Sequence, residues 1–157
     1  PVTVATAIEH ALMIVEPRRK ETAASIVVAP IDKRLLLIAE AGRLEQVLVN
    51  LLRNGLDAMA GQAEPRLEIA ARRSNDRVAI EVRDHGPGLP DEVRNHLFEP
   101  FYTTKPAGEG LGLGLAISLT IVESYGGTLV AHNAPDGGAV FTLTLPAAGE
   151  PDAPPDA

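Results

Sequence analysis

An α+β two-layer sandwich, with one mixed sheet and helices packed on one of its faces, is the fold this sequence predicts. Three observations predict it. A leucine-rich helical pattern runs from Arg43 to Ala60, alternating strands stand on both sides of a second helical pattern, and one core suffices. A chain of 157 residues with 45% hydrophobic content buries a single sizeable core, so a single site is sought.

The elements follow in order. Val4, Ile8, Leu12 and Val15 repeat at helical spacing and predict a first helix from Thr3 to Glu16, stopped by Pro17. Short apolar runs at Ser25 to Ala29 and Arg34 to Ala39 read as strands. The long helix ends near Gly61, and two alternating strands follow, Arg66 to Arg73 and Arg77 to Asp84, joined at Ser74-Asn75-Asp76. From Gly86 to about Gly112 periodicity is lost to Gly, Pro and charge, apart from a short helix around Asp91 to Leu97. A stretch of that length reads as a functional lid. A helix from Leu113 to Tyr125 stops at Gly126-Gly127, and strands near Thr128 to Asn133 and Ala139 to Leu145 close the sheet. One domain is expected over residues 1–146, with a disordered Pro, Ala and acid tail over 147–157. No internal repeat is visible.

Composition removes several function classes. A net charge of -7, from 21 acidic against 14 basic residues, opposes phosphate neutralisation across a nucleic-acid surface. Two Tyr, three Phe and no Trp leave little for base stacking, so nucleic acid is not an expected partner. Without Cys there is neither a disulfide framework nor a thiolate zinc site, which suits the cytoplasm. No apolar run approaches the roughly 20 residues of a membrane-spanning helix. Pro1-Val2-Thr3 is not a signal peptide; the missing initiator Met reads as an excised fragment, and an anchor upstream remains open.

The chemistry concentrates in four places. On the long helix Leu44, Val47, Leu48, Leu51 and Leu52 share one side, and Arg43, Gln46, Asn50, Arg53, Asn54 and Asp57 the other. The bland reading is a solvated face. Asn is a poor helix former, however, and two one turn apart place amide oxygens where a hard cation such as Mg²⁺ could use them. Asp84 continues the inward parity of Val78, Ile80 and Val82, so a carboxylate points where apolar side chains go and needs hydrogen-bond donors. Gly86 and Gly88 after it let the backbone approach a flat ligand, and an adenine amine is a suitable donor. Gly108 to Gly114 is glycine-rich backbone running into a helix, which offers N–H groups to phosphate oxygens. It fits neither the dinucleotide fingerprint nor the G-x-x-x-x-G-K-[ST] loop. Lys105 is a flexible point charge able to reach a terminal phosphate, while Phe98 and Phe101 read as packing anchors of the lid.

In order, these segments resemble the N, G1, F and G2 boxes of the histidine-kinase catalytic domain, in the class that also holds heat-shock chaperone, type II topoisomerase and mismatch-repair ATPases. The N box reads Glu45-Gln-Val-Leu-Val-Asn50-Leu-Leu-Arg-Asn54-Gly-Leu-Asp57-Ala-Met, the G1 box Asp84-His-Gly86-Pro-Gly88, the F box Leu97-Phe98-Glu99-Pro100-Phe101, and the G2 box Gly110-Leu-Gly112-Leu-Gly114. The likeness covers about Thr3 to Pro146. Its Thr-Thr-Lys and Asn-Gly-Leu-Asp-Ala stretches look like those of nitrogen-regulation and dicarboxylate sensors.

The resemblance implies a Bergerat-type fold with an ATP lid, and Mg²⁺ and ATP as cofactors. Asn54 would hold the metal, with Asn50 facing the phosphates and Asp57 near the cofactor. Asp84 would accept from the adenine amine, and Gly86, Gly88 and Phe98 would shape its pocket. Gly110, Leu111, Gly112, Leu113 and Gly114 would line the phosphates, with Lys105 on the terminal one. Hydrolytic relatives carry a Glu one helical turn before the metal-binding Asn; this chain has Asn50, and an amide is no general base. That favours a kinase that holds ATP for an incoming nucleophile. An ATPase, a nucleotide-sensing pseudokinase and a serine kinase of the same fold remain the rivals. A Thr that relatives place early in the last strand is Ala139 here, with a water or Thr142 as substitutes for its contact.

His10, His85, His96 and His132 lack both metal-ligand spacing and the His-Glu or His-Asp helix context of a phosphoacceptor. The acceptor is therefore expected on a separate dimerisation domain of the same kinase, with a response regulator receiver domain as the next partner.

Overall fold

The computed structural model describes residues 1–103 and 114–149. Its elements run β1 (Val2–Thr3), α1 (Val4–Thr22), β2 (Ser25–Val28), β3 (Leu36–Leu37), α2 (Ala41–Ala58), β4 (Arg66–Ser74), β5 (Arg77–Asp84), α3 (Asp91–His96), α4 (Gly114–Ser124), β6 (Thr128–Asn133) and β7 (Ala139–Pro146). The main sheet has the order β2-β4-β5-β7-β6. Its β2–β4 pair is parallel and the others antiparallel, the mixed sheet expected.

Alternation sets the two faces of that sheet. Val82 lies between Ile69 and Phe141, and Ile80 between Ala71 and Leu143. These form an apolar row that α2 covers with Leu44, Val47, Leu48, Leu51, Leu52 and Leu56, all buried. The other face pairs Glu68 with Arg83 and Glu81 with Thr142, as period-2 patterning requires. Helix α2 is central: α1 flanks it on one side and α4 on the other, with α4 also reaching β6 and β7.

Two expectations about elements need correction. Helix α1 does not stop at Glu16 but carries Pro17 inside it and ends at Thr22. A proline there forfeits the hydrogen bond to the Met13 carbonyl. Compensation comes from the turn beyond it, where Arg19 grips Glu16 through Nε at 2.7 Å and Nη2 at 2.6 Å, and Arg18 reaches Asp57 on α2. The strand expected at Arg34 to Ala39 shrinks to Leu36–Leu37, because Arg34 turns back on Asp32. It pairs antiparallel with the unforeseen β1, outside the main sheet. Past Pro146, Ala147 N–H donates to the Asp76 carbonyl at 2.8 Å and Ala148 N–H to the Leu36 carbonyl at 2.9 Å. Among the described residues no helix is long and apolar enough to cross a membrane.

Candidate functional site

The helix stripe divides. The Nδ2 of Asn50 donates to Ser118 Oγ at 3.2 Å, which ties α2 to the buried side of α4. Gly114 opens α4 directly over this amide, and a Cβ there would stand 2.3 Å from Asn50 Oδ1. Asn54 is half-buried, and among the described residues its amide makes no hydrogen bond. Asp57, on the same stripe, is gripped by Arg18, whose Nε and Nη2 both lie 2.8 Å from Oδ1, a contact that joins α1 to α2.

Asp84 closes β5 with only 4% of its surface exposed, on the same face as Val78, Ile80 and Val82. Its Oδ1 accepts from Gly86 N–H at 2.9 Å and Ala139 N–H at 3.3 Å. Among the described residues its Oδ2 accepts nothing. Burial pushes the Asp84 carboxyl above its ordinary range; the two N–H donors, then the nearby His85 and Arg83 charges, oppose that rise without cancelling it. A buried carboxylate with one satisfied oxygen and one spare one is an acceptor waiting for a donor.

The surroundings of Asp84 are built for close approach. Gly55 of α2 lies where a Cβ would stand 3.6 Å from the Asp84 Cβ, and Gly86 where one would stand 3.1 Å from the Ala58 carbonyl. Gly138, at φ +85°, presses on the Asp84 carbonyl so tightly that a Cβ would lie 2.0 Å from its oxygen. Gly88, at φ +83°, leads into Leu89, whose backbone is held by the Asn133 amide. Asn133, Gly138, Gly55 and Ser118 escaped sequence reasoning. The Gly137-Gly138 pair ahead of a strand was a signal for one of them; the others depend on contacts between distant segments.

The Asp84 turn and the start of α4 are joined by α2. Ala58 meets Gly86 at one end and Asn50 meets Gly114 at the other, eight residues or about 12 Å apart along the helix. Asn54 lies midway. Beyond Asn50 a cleft of about 380 Å³ opens between α1, α2 and α4, lined among others by Ile14, Glu45, Val49, Asn50, Arg53 and Ile117. Asp84 does not line this cleft.

Phe98 packs half-buried against the core, as an anchor should. Phe101 does not: it is 72% exposed, at φ 66°. Thr142 cannot replace the Thr missing at Ala139. It pairs with Glu81 on the opposite sheet face from Asp84, whereas Ala139 is buried beside that carboxylate. Lys105, Gly110, Leu111, Gly112 and Leu113 lie outside the described residues. Two histidines pair locally, His10 with Glu45 at 2.8 Å and His96 with Glu99 at 2.9 Å, while the buried His85 Nε2 lies 3.3 Å from Glu68 without a hydrogen bond among the described residues. Among the described residues no group of His, Asp and Glu forms a metal site of its own.

Residues 39–149 match the family described as "Histidine kinase-, DNA gyrase B-, and HSP90-like ATPase". The C4-dicarboxylate transport sensor protein DctB of Pseudomonas aeruginosa is 42% identical over 140 residues, which cover 88% of this chain and 23% of that protein. The chain thus spans about a quarter of that relative's length. Among solved structures, the nucleotide-free catalytic domain of histidine kinase ThkA superposes with a TM-score of 0.82 at 27% identity, covering 92% of this chain and 93% of that one. ThkA is also known in complex with the response regulator protein TrrA, where the TM-score is 0.77 at 25% identity over 92% of this chain and 40% of that one. Full-length ShkA in complex with AMPPNP gives 0.79 at 28% identity, covering 94% of this chain and 31% of that one. The chain belongs to the histidine kinase-, DNA gyrase B- and HSP90-like ATPase family, with the fold of a sensor histidine kinase catalytic domain.

Proposed function

We propose that this domain binds Mg²⁺-ATP and presents its γ-phosphoryl group to a histidine on a separate dimerisation and phosphoacceptor domain of the same kinase. From there the group passes to the receiver domain of a response regulator. The observation that carries the reading is the buried Asp84, whose Oδ2 has no donor among the described residues, at a turn that Gly55, Gly86 and Gly138 pack closely beside α2. An exocyclic adenine amine supplies the donor that this oxygen lacks. A guanine would place a carbonyl there and leave two acceptors face to face.

The residues fit the expected metal and triphosphate. Asn54, uncommitted among the described residues, offers an amide oxygen to Mg²⁺, one protein ligand among phosphate and water oxygens. When bound, the metal neutralises charge on the phosphates. Asn50, held by Ser118, orients its amide towards the start of α4, and Gly114 leaves room for it. Gly110, Leu111, Gly112, Leu113 and Lys105 close over the phosphates in this reading. No carboxylate replaces Asn50 to activate water, so the domain holds the nucleotide in position for an external nucleophile. The likeness to ShkA, whose structure contains AMPPNP, and to ThkA, which binds a response regulator protein, supports both halves of the proposal.

Supplying the purified chain with Mg²⁺-ATP and the dimerisation domain of its full-length protein tests the function. Phosphoryl transfer to that domain, with slow hydrolysis in its absence, is the expected result. Steady ATP hydrolysis by the isolated chain would assign it to the ATPases, and nucleotide binding without transfer would make it a sensing module.

A further inference from the structure

The geometry points to Asn133 as a positioning residue for the proposed adenine site, an inference that rests on the nucleotide reading above. Asn133 is the last residue of β6, paired across the sheet with Ala139, whose N–H donates to Asp84. Its Oδ1 accepts from Leu89 N–H at 2.7 Å, and its Nδ2 donates to the Leu89 carbonyl at 2.8 Å. One side chain thus satisfies both polar groups of one backbone residue, as a neighbouring strand would. Sheet pairing of this edge is thereby extended to the loop that leaves Asp84.

The consequence is a turn held at both ends. Gly86 N–H is fixed by Asp84 Oδ1, and Leu89 is fixed by Asn133, with Gly88 pressed so close that a Cβ on it would stand 3.0 Å from Asn133 Oδ1. Between these ends lies the Gly86-Pro87-Gly88 backbone that faces a bound base in the proposed mode. Where this backbone stands relative to Asp84 sets how a base fits against both in that mode, and so Asn133 acts without touching the ligand. The fit is specific to asparagine: aspartate keeps an acceptor for Leu89 N–H but lacks the donor for its carbonyl, and alanine has neither. Two solvent-accessible hydrogen bonds contribute modestly to global stability, so their loss is expected to move the loop before it unfolds the domain.

The test measures the affinities of a non-hydrolysable ATP analogue, ADP and GTP for the unsubstituted chain, Asn133→Ala and Asn133→Asp, with a denaturation midpoint for each. Expected for Asn133→Ala is a loss of about tenfold, equal for the ATP analogue and ADP because both carry the base. The preference for adenine over guanine should narrow, and Asn133→Asp should fall between the two. If the alanine variant does not fold, the aspartate variant carries the same comparison. Unchanged affinity and base preference in a folded variant would overturn the role of Asn133, as would a loss confined to the triphosphate. If the unsubstituted chain bound no adenine nucleotide, the nucleotide reading itself would fall, and this inference with it.

Discussion

Replacing Asp84 with Asn separates its role in binding from its cost to the fold. The substitution keeps size and leaves an oxygen able to accept from Gly86 N–H at 2.9 Å and Ala139 N–H at 3.3 Å. What changes is Oδ2, which becomes an NH₂ group facing the adenine amine, donor against donor. A hydrogen bond to a charged acceptor contributes about 1.5–3 kcal/mol, so the loss should weaken a non-hydrolysable ATP analogue by about 10- to 100-fold. Calorimetric titration measures this, and a dissociation constant within about threefold of the original would remove Asp84 from the base pocket. Stability should respond in the opposite sense. Because burial raises the folded-state pKa of Asp84 above its ordinary 3.8, the folded protein retains a proton that the unfolded chain has released. Its contribution to stability therefore falls as pH rises from the ordinary value through the folded one, and the full penalty persists above. Asp84→Asn removes this decline, so the difference in unfolding free energy between variant and parent should grow in the variant's favour across that window. A difference that stays flat with pH would show that the carboxyl is not held in the protonated form by burial.

Other expectations follow from the same geometry. Asn54→Ala should leave metal-free binding of the ATP analogue nearly unchanged and abolish its strengthening by Mg²⁺; an intact Mg²⁺ response in the titration would reassign the ligand. Gly138→Ala combines φ +85° with a Cβ 2.0 Å from the Asp84 carbonyl oxygen, so about 3 kcal/mol of destabilisation is expected by urea denaturation. A change within about 0.5 kcal/mol would mean that the turn relaxes freely. Leu51→Ala, at a fully buried position of α2, should cost about 2–5 kcal/mol in the same assay, and a smaller loss would place the core elsewhere.

The periodic parts of the chain were readable because burial and backbone repeat coincide there. The leucines of α2 and the alternation through Val78, Ile80, Val82 and Asp84 fall where the spacing puts them, and the carboxylate is indeed turned inward. Pairings between distant segments were not readable. Pro17 lies inside α1 because the helix beyond it finds Glu16 and, on another helix, Asp57, contacts that outweigh a local stop signal. The same Arg18 pairs with Asp57, a contact between helices that the stripe shared with the asparagines did not announce. Asn133 offered no local clue at all, since its partner Leu89 lies 44 residues earlier. Phe101 read as an anchor by residue type, yet its side chain is exposed.

A crystal structure of the chain grown with Mg²⁺ and a non-hydrolysable ATP analogue addresses the central claim most directly. The account predicts the exocyclic adenine amine within about 3.2 Å of Asp84 Oδ2 and the metal about 2.1 Å from the Asn54 amide oxygen. A base bound away from Asp84, or a metal held without Asn54, would contradict it.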